Sequence, residues 1–124
     1  MGKQIVKSIV TLAPGKQLQS TGCNWCQFGT RPDSSGICDM CVKRFRALLA
    51  SAKWNKTTRQ AFFSAYPYCK NHLSIGEHVP ATELDHILPW RLFPDLFWEE
   101  TNFQGLCYSC HNFKTLEDKQ KYGL

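Results

Sequence analysis

The sequence has no uninterrupted hydrophobic run of the roughly 20 residues that a membrane-spanning helix needs. Lys7 interrupts the most apolar stretch near the N-terminus, and that stretch is too short and too broken for a secretory signal. The start MGKQIV also lacks the Ser or Thr that a myristoylation signal carries at position 6. We therefore expect a cytoplasmic protein without a membrane anchor. Its 124 residues, of which 43% are hydrophobic and 20% charged, suit one small folded domain, alone or with a short appendage, rather than a disordered chain.

Acidic residues are scarce in the first part of the chain. Residues 1–70 hold 11 Lys or Arg and only two acids, a balance of +9, whereas residues 71–124 have a balance of −4. From Lys43 to Lys70 there are seven cations and no acid. Such a run can follow a phosphate backbone, which favours a nucleic-acid partner, and the alternative is a solvated helix face.

The seven cysteines cannot all pair, because their number is odd, and a cytoplasmic chain seldom carries disulfides. Six of them form three CxxC pairs, and the seventh begins the sequence Cys-Lys-Asn-His. Eight ligands at this spacing predict two tetrahedral, structural zinc sites. A redox CxxC would need a neighbouring βαβ pattern, which the sequence does not show. One predicted site comprises Cys23, Cys26, Cys38 and Cys41, and the other comprises Cys69, His72, Cys107 and Cys110.

Hydrophobic spacing predicts the main elements. Residues 40–53 form a helix with an apolar face that includes Val42 and Phe45, and a second helix runs from about Thr57 to Ala65. The segment TELDHILP indicates a strand that ends at Pro89, and QGLC indicates a second short strand. A helix should run from Cys110 to about Tyr122. We expect Phe113 and Leu116 on its inner face, and Trp54, Trp90 and Trp98 in the core.

The candidate chemistry lies in the C-terminal half. Asp85 and His86 are neighbours on a strand, so their side chains point to opposite sides unless the strand ends or bulges there. The second zinc would clamp the C-terminal helix to the strands and bring His111 beside Asp85. A carboxylate oxygen and an imidazole nitrogen can hold a catalytic divalent ion. We expect His86 to remain free as a general base, with the ordinary imidazole pKa near 6.5.

These motifs resemble the HNH endonucleases, which have the ββα-metal fold. The resemblance lies in TELDHI, in the Asp-x-Phe-Trp stretch at 95–98, in Asn-aromatic-Gln-x-Leu-Cys at 102–107 and in Cys-His-x-x-Lys-Thr at 110–115, and it covers roughly residues 52–116. It implies a small, zinc-stabilised α+β fold. In that fold a C-terminal ββα-metal motif is preceded by helices and by an N-terminal four-cysteine zinc knuckle or ribbon. We divide the chain into a zinc-binding segment with a basic helix, 1–50, and a nuclease domain, 51–124.

The resemblance also implies residue roles. The catalytic set is His86, Asn102, Asp85 and His111. In this set His86 activates the attacking water, and Asn102 holds the loop between the strands and so orients His86. Asp85 and His111 hold a catalytic divalent ion, which is Mg²⁺, Mn²⁺, Ni²⁺ or Zn²⁺. The predicted DNA contacts are Lys43, Arg44, Arg46, Lys53, Lys56, Arg59, Arg91 and Lys114.

Two positions depart from the family pattern. Most relatives have cysteine where this chain has His72, which is a conservative exchange for zinc, and His78 is the alternative ligand. Many phage-type relatives carry a second histidine where this chain has Trp90, while Arg91 is present beside it.

The sequence thus predicts an HNH endonuclease that nicks or fully cuts DNA, of phage or mobile-element origin, in the cytoplasm of a bacterial host. Phage terminase or other DNA-processing proteins are partners by resemblance only, and the oligomeric state is left open. An inactive double-zinc module that binds DNA or protein is the competing hypothesis. An RNA-cutting or junction-resolving enzyme on the same fold is a third.

Overall fold

The computed structural model describes residues 22–29 and 36–124. A π-helical segment, Lys53–Thr58, leads directly into the helix Arg59–Ala65, and short 3₁₀ turns cover Pro94–Leu96 and Glu100–Asn102. Within the two described ranges, no helix is long and apolar enough to cross a membrane. The elements are α1 (Asp39–Ala50), α2 (Arg59–Ala65), α3 (Lys70–Leu73), β1 (Glu83–His86), β2 (Phe103–Leu106) and α4 (Tyr108–Tyr122).

The first two predicted helices are present, and the second ends at Ala65 as predicted, while the other bounds differ. In α1, Val42 and Phe45 are buried as predicted, while the helix ends at Ala50 instead of residue 53. The next helical stretch begins before Thr57, because the Ser51 side chain accepts the backbone N–H of Trp54 and so starts the π-helical segment there. Thr57 therefore lies inside the segment and does not cap it.

The two strands form an antiparallel hairpin. Asp85 lies opposite Gln104 in the register, and His86 lies opposite Phe103. The first strand ends at His86 rather than at Pro89. The reason is that the backbone N–H of Leu88 bonds to the Asn102 side chain, which replaces the ladder at that point.

One large core connects the N-terminal cysteines to the hairpin. Trp54, which is only 4% exposed, lies in this core with Phe45, Phe97 and Phe103. Trp90 is partly buried and stacks on Phe45, with ring centroids 5.5 Å apart. The packing role predicted for these two tryptophans is confirmed. The same prediction was wrong for Trp98, which is 37% exposed and contacts Trp54 edge-on. This core includes residues on both sides of position 50. The division of the chain into a zinc-binding segment, 1–50, and a nuclease domain, 51–124, stays a prediction about function. Residues 1–21 and 30–35 lie outside the described part of the chain.

The packing predicted for the C-terminal helix was wrong. Phe113 and Leu116 are 63% and 59% exposed. The helix places its polar face, with His111 and Lys114, against the carboxylate of Asp85 on β1. The hydrophobic spacing alone could not show this, because the face of α4 that meets β1 carries His111 and Lys114 rather than apolar side chains.

Candidate active site and metal centres

The first cysteine cluster lies where α1 begins. Cys38 directly precedes α1 and Cys41 lies in its first turn, while Cys23 and Cys26 come from the preceding loop. The four sulfur atoms all lie within 4.8 Å of one another. The Sγ atoms of Cys23 and Cys41 are 3.8 Å apart, and those of Cys26 and Cys38 are 3.7 Å apart. The arrangement is consistent with a closed, four-thiolate zinc site.

The electrostatics of this cluster also suit a cation. Burial by itself would raise the pKa of Cys23, but backbone N–H groups of Cys38, Trp25 and Cys26 point at its sulfur and lower that pKa to about 6. Burial and the neighbouring thiols raise the pKa of Cys41. Four adjacent thiols resist losing all their protons unless a cation compensates the charge, and a thiophilic divalent metal does so.

The second cluster joins α3 to the start of α4. Cys69 and Cys107 directly precede these helices, and His72 and Cys110 lie within them. One donor atom from each residue lies within 4.8 Å of the others. Burial opposes ionisation of Cys69, yet backbone N–H groups bring its pKa to about 7, whereas burial raises the pKa of Cys110 to about 11. A metal held here would fix α4 to the rest of the fold.

The structure brings His72 rather than His78 into this cluster. His78 packs against the Tyr68 ring, with centroids 4.9 Å apart. The Nδ1 atom of His72 lies 2.7 Å from a carboxylate oxygen of Glu77, which leaves Nε2 as its metal-binding atom. Sequence reasoning missed Glu77. Its only signal was the nearby Gly76, whose φ of +82° lets the chain turn back toward His72.

Asp85 faces α4, as the strand geometry predicted. Its Oδ1 atom lies 3.5 Å from Nε2 of His111. Its Oδ2 atom accepts a hydrogen bond of 2.9 Å from Gln104 and lies 3.2 Å from the Lys114 ammonium. Two donor atoms 3.5 Å apart can share one cation, because each metal–ligand bond is about 2–2.3 Å long. The residues present therefore fit a divalent ion on Oδ1 of Asp85 and Nε2 of His111.

His86 is not the free imidazole that we expected. It is 5% exposed, it stacks on Trp54 with centroids 4.8 Å apart, and its Nε2 atom lies 2.9 Å from the Phe97 carbonyl oxygen. Burial lowers the pKa of His86, although the Phe97 carbonyl and Asp85 oppose this effect. A neutral ring that donates from Nε2 keeps a lone pair on Nδ1, so the imidazole remains able to accept a proton.

Asn102 clamps the chain just beyond the first strand. Its side-chain oxygen accepts the Leu88 N–H at 2.9 Å, and its side-chain nitrogen donates to the Leu88 carbonyl at 3.1 Å. Asn102 is buried, so these bonds satisfy polar atoms that would otherwise lack partners. The clamp fixes the segment that follows His86.

A groove of about 290 Å³ contains three of the four candidate catalytic residues, namely Asp85, His86 and His111, while Asn102 is not in its lining. Three of the eight predicted DNA-contacting residues also line it, and so does Lys119, which sequence reasoning missed. Outside this groove, the Lys53 ammonium lies 4.3 Å from the centre of the Trp98 ring, and Arg59 bonds to the Thr82 carbonyl. The three in the groove are Arg46, Arg91 and Lys114. The other three predicted DNA contacts are exposed, namely Lys43, Arg44 and Lys56.

Comparison with solved structures finds the HNH endonuclease of the deep-sea thermophilic bacteriophage GVE2, crystallised with a manganese ion. The two chains are 31% identical, with a TM-score of 0.58. The match covers 65% of this chain and 88% of the GVE2 chain. The protein belongs to the HNH endonuclease family.

Comparisons of this HNH family member with protein-family models and with curated proteins give no match. The structural match confirms the resemblance that the motifs indicated. It also confirms the predicted small α+β fold with a two-stranded hairpin, a C-terminal helix and two Cys/His clusters.

Proposed function

We propose that this protein is a metal-dependent endonuclease that hydrolyses DNA phosphodiester bonds. The observation that carries the proposal is the 3.5 Å approach of Asp85 Oδ1 to His111 Nε2, in a groove that His86 also lines. The related GVE2 endonuclease, whose structure contains manganese, supports it. The phage origin, the bacterial cytoplasm and the terminase partner stay predictions from the resemblance.

In this proposal each side chain has one task. Asp85 and His111 would hold a divalent cation, and that ion would supply Lewis-acid stabilisation of negative charge on the phosphate and on the leaving oxygen. His86 accepts the proton of the attacking water at Nδ1, while the Phe97 carbonyl fixes the ring through Nε2. Asn102 is a positioning residue, because its clamp on Leu88 holds the chain beside His86.

The basic side chains in the groove would contact the DNA backbone next to the scissile bond. Arg46 reaches the groove from α1, Arg91 from the loop after β1 and Lys114 from α4. Lys43, Arg44, Lys53, Lys56 and Arg59 would act further along the duplex. Positive side chains from three separate segments of the groove lining suit a polyanion, and phosphate contacts position the DNA without reading its sequence.

The two Cys/His clusters are proposed as structural zinc sites. Both consist of four donors without an open position, which is typical of structural rather than catalytic zinc. Cys110, a member of the second cluster, immediately precedes His111 in the chain. Its metal would therefore hold the helix that presents His111 to Asp85.

Plasmid cutting tests the proposal. Zinc-loaded protein with added Mg²⁺, Mn²⁺ or Ni²⁺ should convert supercoiled plasmid to the nicked or linear form, and Asp85→Ala and His111→Ala should each abolish the reaction. Cutting by both variants at the wild-type rate would contradict the assignment of the metal site. DNA binding without any cutting by the wild-type protein would favour the inactive double-zinc module.

Replacing Glu77 should weaken zinc binding at the second cluster. We expect Glu77→Ala to lower the zinc affinity by roughly 10–100-fold, because the carboxylate holds Nδ1 and so orients the His72 ring with Nε2 toward the metal. Competition with a chromophoric chelator measures this affinity. The same change in a His72→Cys background should have little effect, since a cysteine ligand has no second ring nitrogen to orient. Equal losses in both backgrounds would show that Glu77 acts in some other way.

A further inference from the structure

Lys114 occupies an unusual position in the candidate metal site. Its ammonium lies 3.2 Å from Oδ2 of Asp85 and 2.6 Å from Oδ2 of Asp118, one turn further along α4. The three side chains are only 16%, 15% and 19% exposed, respectively, so water screens their charges poorly. The Lys114 ammonium thus already contacts the Asp85 carboxylate, which binds the metal in the proposed function.

The charges at this position have a simple consequence. Two carboxylates and one ammonium sum to −1. A divalent ion changes the sum to +1, which matches one phosphodiester of charge −1. Without Lys114 the same site would have a charge of −2 before the metal binds and 0 afterwards. It would then hold the metal more tightly, and its net charge would not attract the phosphate.

We propose that Lys114 is a positioning residue that couples metal binding to DNA binding. In the free protein its ammonium repels the divalent ion at Asp85 and so weakens metal binding. When DNA is bound, the ammonium turns from Asp85 to a phosphate oxygen, so it lies further from the metal and its repulsion is relieved. DNA therefore strengthens metal binding, and by reciprocity the metal strengthens DNA binding by the same factor. The inference rests on the proposed function, because it assumes that Asp85 holds a divalent ion.

Asp118 provides a variant with the opposite expected effect. It shares the Lys114 ammonium with Asp85, and the shorter distance is the one to Asp118. Without the Asp118 charge, the Lys114 ammonium pairs with Asp85 alone. The change also removes a negative charge near the metal. Both effects weaken metal binding. A loss of structure would instead change the Lys114 and Asp118 variants in the same direction.

Calorimetric titration of zinc-loaded protein with Mn²⁺ tests the first half of the proposal. Lys114→Met should bind Mn²⁺ on the order of tenfold more tightly than wild type, and Asp118→Asn should bind it more weakly. Lys121→Met is the matched control. It removes the same charge from the same helix, but its ammonium contacts the Tyr122 ring rather than a carboxylate, so it should bind like wild type. Unchanged or weaker binding by Lys114→Met would overturn the proposal.

DNA binding tests the second half. In a His86→Ala background, which should prevent cutting, fluorescence anisotropy measures the affinity for a duplex with and without Mn²⁺. We expect Mn²⁺ to strengthen binding in both proteins, because the ion itself attracts the phosphate. The increase should be smaller with Lys114→Met, which lacks the ammonium–metal repulsion that DNA relieves. An equal increase in both proteins would overturn the coupling.

Asp85→Ala separates this inference from the proposed function. If wild type binds no Mn²⁺, or if Asp85→Ala binds it equally well, the proposed metal site itself is wrong. If Mn²⁺ binding depends on Asp85 but Lys114→Met does not strengthen it, the metal site stands and only the role of Lys114 is refuted.

Discussion

Replacing Cys107 with serine will unfold the C-terminal half of the chain. Cys107 belongs to the second metal cluster and directly precedes α4, so its loss removes the link between that helix and α3. A structural zinc contributes roughly 10–16 kcal/mol of apparent binding energy. This is comparable to the entire stability of a domain, about 5–15 kcal/mol. Circular dichroism during heating and the zinc content per chain measure the effect.

Tyr108→Ser is the matched control for this prediction. It changes the adjacent residue, which is exposed and is not a member of the cluster. We expect it to melt near the wild-type temperature with two zinc ions per chain. A Cys107→Ser protein that remains folded with both zinc ions would contradict the structural role of the second cluster.

Replacing His86 with alanine should reduce plasmid cutting by roughly 10²–10⁴-fold, the range that a general base contributes. The change will also lower the free energy of unfolding. It removes a ring that packs on Trp54, and it leaves the buried Phe97 carbonyl without its partner, a cost of about 1–3 kcal/mol. Activity must therefore be compared well below the melting temperature of the variant.

His78→Ala is the control for the loss of an imidazole. His78 lies in the loop before β1, against Tyr68, and should leave cutting unchanged. Cutting by folded His86→Ala at the wild-type rate would remove His86 from the mechanism. If the loss of cutting disappears once conditions restore the folded fraction of His86→Ala to that of wild type, His86 serves only in packing.

Much of this site could be predicted because its signals are local. Two-residue spacing between ligands brings cysteines together whatever the rest of the fold does, and both clusters form as predicted. Alternation along a strand correctly predicted that Asp85 and His86 point to opposite sides, and the predicted zinc clamp correctly brought His111 beside Asp85. The consecutive positions of Cys110 and His111 then fixed which residue could meet Asp85.

The features that sequence reasoning missed depend on contacts between distant segments. The burial of His86 results from Trp54 and Phe97, which lie 32 residues before it and 11 residues after it. The hydrogen bond from Gln104 to Asp85 follows from the strand register, which no single motif specifies. The exposure of Phe113 also depends on distant segments, because the face of α4 that meets β1 is the one with His111 and Lys114 beside Asp85.

The central claim is that Asp85 and His111 share one divalent ion. Anomalous diffraction from crystals of the zinc-loaded protein soaked in Mn²⁺ tests this claim most directly. We expect one manganese peak, about 2–2.3 Å from both Oδ1 of Asp85 and Nε2 of His111, in addition to zinc at the two Cys/His clusters. Manganese found only elsewhere, or absent from a site whose two donor atoms remain 3.5 Å apart, would contradict it.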